Sequence, residues 1–243
     1  MKLNFNNIID KEAGKDAIVL GTGPSLNKHK EKIKNLDRSK YIIIGCNDID
    51  IVANIIPDYW VFSNNEATIN VMSSRLNNAK TIVLYSDVID LTDRADVDVF
   101  LNVDYLGYDQ RHFNGSTTEC TGGNCCKHAI PDRLTIQEEF KNYTKYHTYD
   151  TSSDTVIINS LYFSVLLGCK NVYVTGVDLD YSVGYADNSK SNSVVIKNLE
   201  LMRPRILNTL NIINNSAKNI NVNIYSLDNG LHISNVFEYK ELL

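Results

Sequence analysis

Apolar residues fall into two kinds of run along this chain. The first kind is short, continuous and rich in β-branched residues: Asp16–Gly21, Tyr41–Asn47, Asp58–Ser63, Thr81–Tyr85, Asn171–Gly176 and Asn221–Tyr225. Runs of this length without alternation predict strands buried on both faces. The second kind is longer, with apolar positions at helical spacing: Ser25 to about Leu36, Glu66–Leu76, Asp154–Leu167 and about Val195–Asn214. In the third of these, Val156, Ile157, Leu161, Val165 and Leu166 are among the apolar positions, and Gly168 stops the helix. Strands and helices alternate as they do in a parallel sheet covered by helices. The expected fold class is therefore α/β: a Rossmann-like, mostly parallel sheet of about six or seven strands. One domain over 1–243 is expected. The rhythm breaks between about 87 and 132, a polar, weakly periodic stretch with a short apolar piece at Val97–Val103. Such an insert in a compact domain suits a lid or acceptor-binding segment.

The strand ends carry the candidate chemistry. The first strand runs straight into Gly21-Thr22-Gly23-Pro24-Ser25 and then a predicted helix. Backbone N–H groups at such a turn and the positive end of a helix dipole favour phosphate. Gly21 and Gly23 would let a ligand approach the backbone, Pro24 suits the first helical turn, and Ser25 is an expected cap. A dinucleotide fingerprint would need glycine where Leu26 stands, although Asp48 lies about where a ribose-binding carboxylate would be. A P-loop is excluded, because Gly-Lys-Ser/Thr is absent. In open α/β sheets ligands bind at the carboxyl ends of strands. Asn47-Asp48, Ser63-Asn64-Asn65 and Gly176–Tyr185 lie there together with the first loop.

Composition narrows the setting. A net charge of −5 gives no global case for nucleic acid, and the lysines at 28, 30, 32 and 34 read as a solvated helix face. No run reaches the roughly 18 apolar residues of a membrane span, the N-terminus lacks a signal-peptide core, and five cysteines make no disulfide framework. A cytoplasmic protein is the expectation. Cys120, Cys125, Cys126 and His128 match no established zinc spacing, and Cys46 and Cys169 read as packing residues.

The strand-end motifs also resemble known families. Gly-x-Gly-Pro-Ser-Leu, Cys46-Asn47, Val61-Phe-Ser-Asn64 and Leu167-Gly-Cys-Lys-Asn-Val-Tyr-Val-Thr-Gly-Val-Asp178 are similar to the family 42 bacterial sialyltransferases, as is the segment with Tyr181 and Tyr185. Pro57-Asp58-Tyr59 and Ser153-Asp-Thr-Val-x-x-Asn159 look more like the 6-hydroxymethylpterin diphosphokinase (MptE-like) family. The resemblance covers the chain apart from about 87–147. It implies a glycosyltransferase moving a sugar from a nucleotide donor, CMP-linked, to an acceptor hydroxyl. The alternatives are a diphosphokinase transferring pyrophosphate from ATP to a pterin alcohol, or a nucleotide-binding protein without catalysis. By position, the sialyltransferase pattern puts Gly21, Thr22, Gly23 and Ser25 on the donor's phosphate and ribose. Asn47 and Asn64 would hold the nucleotide and sugar. Thr155, with Asn159 in the same run, falls in a helix N-terminus that meets the donor, and Asp178 lies under the ribose or base. Tyr181 and Tyr185 would donate to the leaving phosphate.

The family's basic histidine has no counterpart, since Ala186–Ile224 contains none. His232, His128, His147, Asp180 and Asp187 are the candidates for that role. A CMP-sugar donor requires no metal. Asp178-Leu-Asp180, an Asp-x-Asp at a strand end with alternating residues on one face, would hold magnesium or manganese in the other readings. The acceptor stays open among a glycan, a lipid-linked saccharide, a protein and a modified base. Related transferases often assemble, which leaves a homo-oligomer open too.

Overall fold

The computed structural model describes residues 10–63, 81–85, 98–101, 155–180, 182, 184–189, 193–230 and 232–242. The apolar runs become strands β1 (Asp16–Leu20), β2 (Tyr41–Cys46), β3 (Tyr59–Ser63), β4 (Thr81–Tyr85), β5 (Asp98–Leu101), β6 (Asn171–Thr175), β7 (Asn223–Ser226) and β8 (Glu238–Tyr239). They form one sheet in the order β5-β4-β3-β2-β1-β6-β7-β8, and every neighbouring pair is parallel. The α/β parallel architecture is the expected one. The sheet is wider than six or seven strands because β5, inside the irregular 87–132 stretch, and the two-residue β8 extend its edges. The rest of that stretch lies outside the described residues, as do Cys120, Cys125, Cys126, His128, His147 and the helix expected over Glu66–Leu76.

The central strands are buried on both faces, which explains their lack of alternation. From β1, Ala17 and Val19 join one core with Val172 and Val174 of β6, beneath Phe163 and Ile206. Ile18 and Leu20 join the other, beneath Leu26 and Ile33. The first core lies under two helices, α3 (Val156–Leu166) and α4 (Ser193–Asn219), once α1 (Lys30–Lys34) and α2 (Ile49–Ala53) are counted along the chain. Helix α3 ends in the motif its sequence predicts. Gly168 takes φ +88°, Gly168 N–H donates to the Val165 carbonyl, and Cys169 N–H donates to that of Ser164. Helix α4 runs five residues past its expected end because Ala217 still packs into the core. No described helix is long and apolar enough to cross a membrane.

The single helix expected after the first loop is instead a 3-10 turn, Pro24–Lys28, and the five-residue α1. Between them His29 leaves helical geometry, with φ −116°, and its ring is bonded to Asp228 beyond β7. A tertiary tether thus overrides the helical pattern. The strand order reverses beside β1, whose neighbours are β2 and β6. At such a switch point the loops leave in opposite directions and a crevice opens at the carboxyl ends of the strands.

Candidate functional site

At that crevice the ends of β1 and β6 meet at backbone contact. Gly21 N–H donates to the Thr175 carbonyl at 2.9 Å and Gly23 N–H to the Gly176 carbonyl at 2.8 Å. A methyl group on Gly21 would stand 2.3 Å from the Gly176 oxygen, and one on Gly176 2.3 Å from the Gly21 oxygen. One on Gly23 would stand 2.2 Å from Asp178 Oδ2. The glycines therefore admit the neighbouring strand end, and Gly21 and Gly23 also line the cleft.

Ser25 is not a helix cap. Gly23 occupies the N-cap position of the 3-10 turn, and Pro24 its first residue. Ser25 is buried. Its N–H and Oγ both donate to Asp178 Oδ2, at 3.1 and 3.0 Å, and its Oγ accepts from Gly176 N–H at 3.1 Å. Asp228, also buried, accepts from Gly176 N–H at 3.3 Å and pairs with His29 at 3.1 Å. The donors expected to meet a phosphate at Ser25 are already turned onto a carboxylate of the chain itself. Burial raises the Asp178 pKa, the Ser25 hydrogen bonds oppose the rise, and the charge of Asp228 adds to it. Sequence reasoning missed Asp228 and His29. Asp228 stands two residues beyond β7, so the strand-end rule applied to β1, β2 and β6 would have found it.

The cleft opens on the other side of the glycine contact. Its lining includes Gly21, Thr22, Gly23, Cys46, Asn47, Thr155, Val156, Ile157, Asp178, Asp180 and Tyr185. Thr22 N–H has no acceptor among the described residues. Asn47 is held at φ +46°; its N–H donates to the Val61 carbonyl at 3.1 Å and its carbonyl accepts from Trp60 Nε1 at 2.6 Å. Both backbone groups face β3, and the side-chain amide is left without a partner among the described residues. Thr155 is the N-cap of α3, its Oγ1 accepting a long 3.5 Å contact from Ile157 N–H. The eleven-residue α3 thus presents its N-terminus to the cleft, and this is the helix end that faces it, rather than the turn after Gly23. Cys46 Sγ lies 3.1 Å from Ser160 Oγ beneath the cleft, and burial pushes its thiol pKa up to about 12.

The rim is the segment after β6. Tyr185 lines the cleft, and the next residue is tied to the first loop. Ala186 N–H donates to the Thr22 carbonyl at 2.9 Å, and Asn27 Nδ2 to the Ala186 carbonyl at 2.8 Å. Asp178 and Asp180 do not share a strand face, because β6 ends at Thr175 and Leu179 turns the chain with φ +55°. Asp178 meets Ser25, while Asp180 accepts from the N–H and Oγ of Ser182. The Ser182 hydroxyl holds the Asp180 carboxyl below its ordinary pKa against its slight burial, with smaller help from the Ser182 N–H, Arg203 and His232. His232, heading the 3-10 turn Ile233–Asn235, is therefore within electrostatic reach of the rim, though it does not line the cleft. Asp48 does not line it either; it heads α2. Asp187 closes a turn onto Ser189. Asn64, Tyr181 and the side chain of Asn159 lie outside the described residues. Among the described residues no three His, Cys, Asp or Glu side chains cluster as a metal site.

The family model of 6-hydroxymethylpterin diphosphokinase MptE-like proteins matches residues 1–95. No curated protein matches the chain in sequence. Among solved structures, the MAf glycosyltransferase of Magnetospirillum magneticum AMB-1 is similar at a TM-score of 0.53 and 16% identity, over 95% of this chain and 34% of its own. This chain spans about a third of that protein. The sialyltransferase CstII of Campylobacter jejuni, in complex with cytidine-5'-monophosphate, is similar at a TM-score of 0.51 and 15% identity, over 93% of this chain and 85% of its own. At these identities the likeness is one of fold. The family model spans Pro57-Asp58-Tyr59 and not the Ser153–Asn159 run, and the likeness to the sialyltransferase is one of fold.

Proposed function

We propose that this chain is a glycosyltransferase that binds a CMP-linked sugar in the cleft and passes the sugar to an acceptor hydroxyl. The observation that carries this reading is the meeting of the α3 N-terminus, the Thr22 N–H, the Asn47 amide and Tyr185 in one open cleft at the switch point. A helix N-terminus and an N–H with no acceptor among the described residues favour the donor's phosphate. The Asn47 amide offers both a donor and an acceptor to ribose or sugar. Breaking the sugar–phosphate bond develops charge on the departing oxygens, and Tyr185, which lines the cleft, would donate to them, with Tyr181 as its partner in the role. Asp178 closes the floor beneath the nucleotide. For the acceptor's proton, Asp180 is engaged by Ser182, and His232, which lies within electrostatic reach of the rim, is the candidate general base. No metal is assigned to this transfer.

A second reading is favoured by the family-model match over 1–95: a diphosphokinase moving pyrophosphate from ATP to a pterin alcohol. Magnesium would then arrive with ATP.

A thermal-shift panel of CMP, CDP, UDP, GDP, ADP and ATP, each with and without magnesium, separates the two. A ligand at a hundred times its dissociation constant stabilises a fold by about 2.7 kcal/mol. The expected result is a metal-independent shift with CMP, followed by hydrolysis of a CMP-sugar. A shift with ATP and magnesium alone would replace the first reading with the second.

A further inference from the structure

The rim segment contains a conformation that leucine seldom adopts. Leu179 has φ +55°, in the left-handed region where a bulky side chain crowds the backbone. Such strain persists only where the surroundings over-determine it, and it gathers at functional sites. Two anchors do so here. The Leu179 side chain is buried in the core beneath α3 and α4, and its carbonyl accepts a hydrogen bond of 2.5 Å from Arg203 Nε. Arg203 lies on α4, 24 residues along the chain. It does not line the cleft, and its guanidinium is steadied from its own helix by an ion pair with Glu200. The turn at Leu179 decides where its two neighbours go: Asp178 beneath the first loop, Asp180 out to Ser182.

We propose that Arg203 is a positioning residue of the cleft: by holding the Leu179 carbonyl from α4, it fixes the stations of Asp178 and Asp180 along the cleft wall. The guanidinium suits the task, since its fork can donate through Nε to a carbonyl and through another nitrogen to a carboxylate at once. A lysine at 203 has the charge without the fork. The positioning claim stands on geometry alone; its ligand arm rests on the nucleotide reading above.

The test uses the full chain with Arg203→Met and Arg203→Lys. Hydrogen exchange is followed by mass spectrometry without ligand, comparing segment 176–189 with the strand amides of β1 and β2. Gly176 and Ala186 N–H groups are bonded within the chain and report directly on the segment. Arg203→Met is expected to exchange at least tenfold faster over 176–189, with β1 and β2 unchanged and Arg203→Lys in between. In parallel, CMP affinity should fall about tenfold in Arg203→Met and less in Arg203→Lys. Unchanged exchange over 176–189 overturns the proposal, and so does an equal rise in β1 and β2, which would make Arg203 a support of the whole fold. If Arg203→Met does not fold, Arg203→Lys decides by the same comparison. If the unaltered chain binds no CMP, the nucleotide reading fails and the exchange arm still judges Arg203.

Discussion

Gly23 shows how a single missing Cβ sets the shape of the site. Valine there would meet Asp178 Oδ2 and the Gly176 backbone at distances no side chain tolerates. Gly23→Val is therefore expected to destabilise the fold by about 1–3 kcal/mol, the scale of overpacking, and not merely to block a ligand. A melting temperature equal to that of the unaltered chain would contradict this. Thr175 is the opposite case. Its hydroxyl is buried at the end of β6 with no hydrogen-bond partner among the described residues. Thr175→Val keeps the shape and removes the orphan, so stability should rise by about 1 kcal/mol, read from the denaturation midpoint. At the rim, Tyr185→Phe should lower turnover of a CMP-sugar by about 10²-fold, the scale of one oriented donor, with donor affinity nearly unchanged; a rate equal to that of the unaltered chain would remove Tyr185 from the leaving-group role. These positions differ in how far the sequence disclosed them. Glycine at 21 and 23 was visible as a requirement for space, but what fills that space is Gly176 and, at Gly23, also Asp178, more than 150 residues away, and no local pattern reports such contacts. Asn47 was legible as a strand-end amide. That it is held at positive φ by Trp60 was not.

Between elements, the link from Ser25 to Asp178 joins the loop after β1 to the loop after β6. Burial lifts the Asp178 pKa in the folded state above its ordinary 3.8. For a carboxyl raised in this way, its contribution is fully present below the unfolded pKa and is lost as pH rises through the folded one. Asp178→Asn keeps an acceptor for Ser25 without the buried charge. Its stability relative to the unaltered chain should therefore improve from pH 4 to pH 7, whereas Ser25→Ala should weaken the fold at both. Urea midpoints at the two pH values check this, and a relative loss for Asp178→Asn at pH 7 would show the carboxylate to be favoured by the fold. Strands and α3 were readable because their apolar runs and caps are local signals. The helix after the first loop was misread because His29 answers to Asp228, and the Asp-x-Asp pair because β6 stops before it.

Across the whole molecule, the parallel sheet follows from the alternation of runs, and the position of the crevice from the strand order. The order itself was not readable, since nothing local says that β6 pairs with β1. Gly21, Asn47, Thr155, Asp178 and Tyr185 come from four separate stretches of chain and meet at one crevice. The mutual contact of Gly21 and Gly176 has a consequence for any redesign of this molecule. Two backbones already touching cannot be moved closer, and a side chain at either position would wedge them apart, so the floor offers no adjustable parameter. Selectivity can be retuned along the walls, which Thr22, Asn47 and Thr155 line. A library that varies those three and leaves both glycines alone would search ligand preference while keeping the sheet intact.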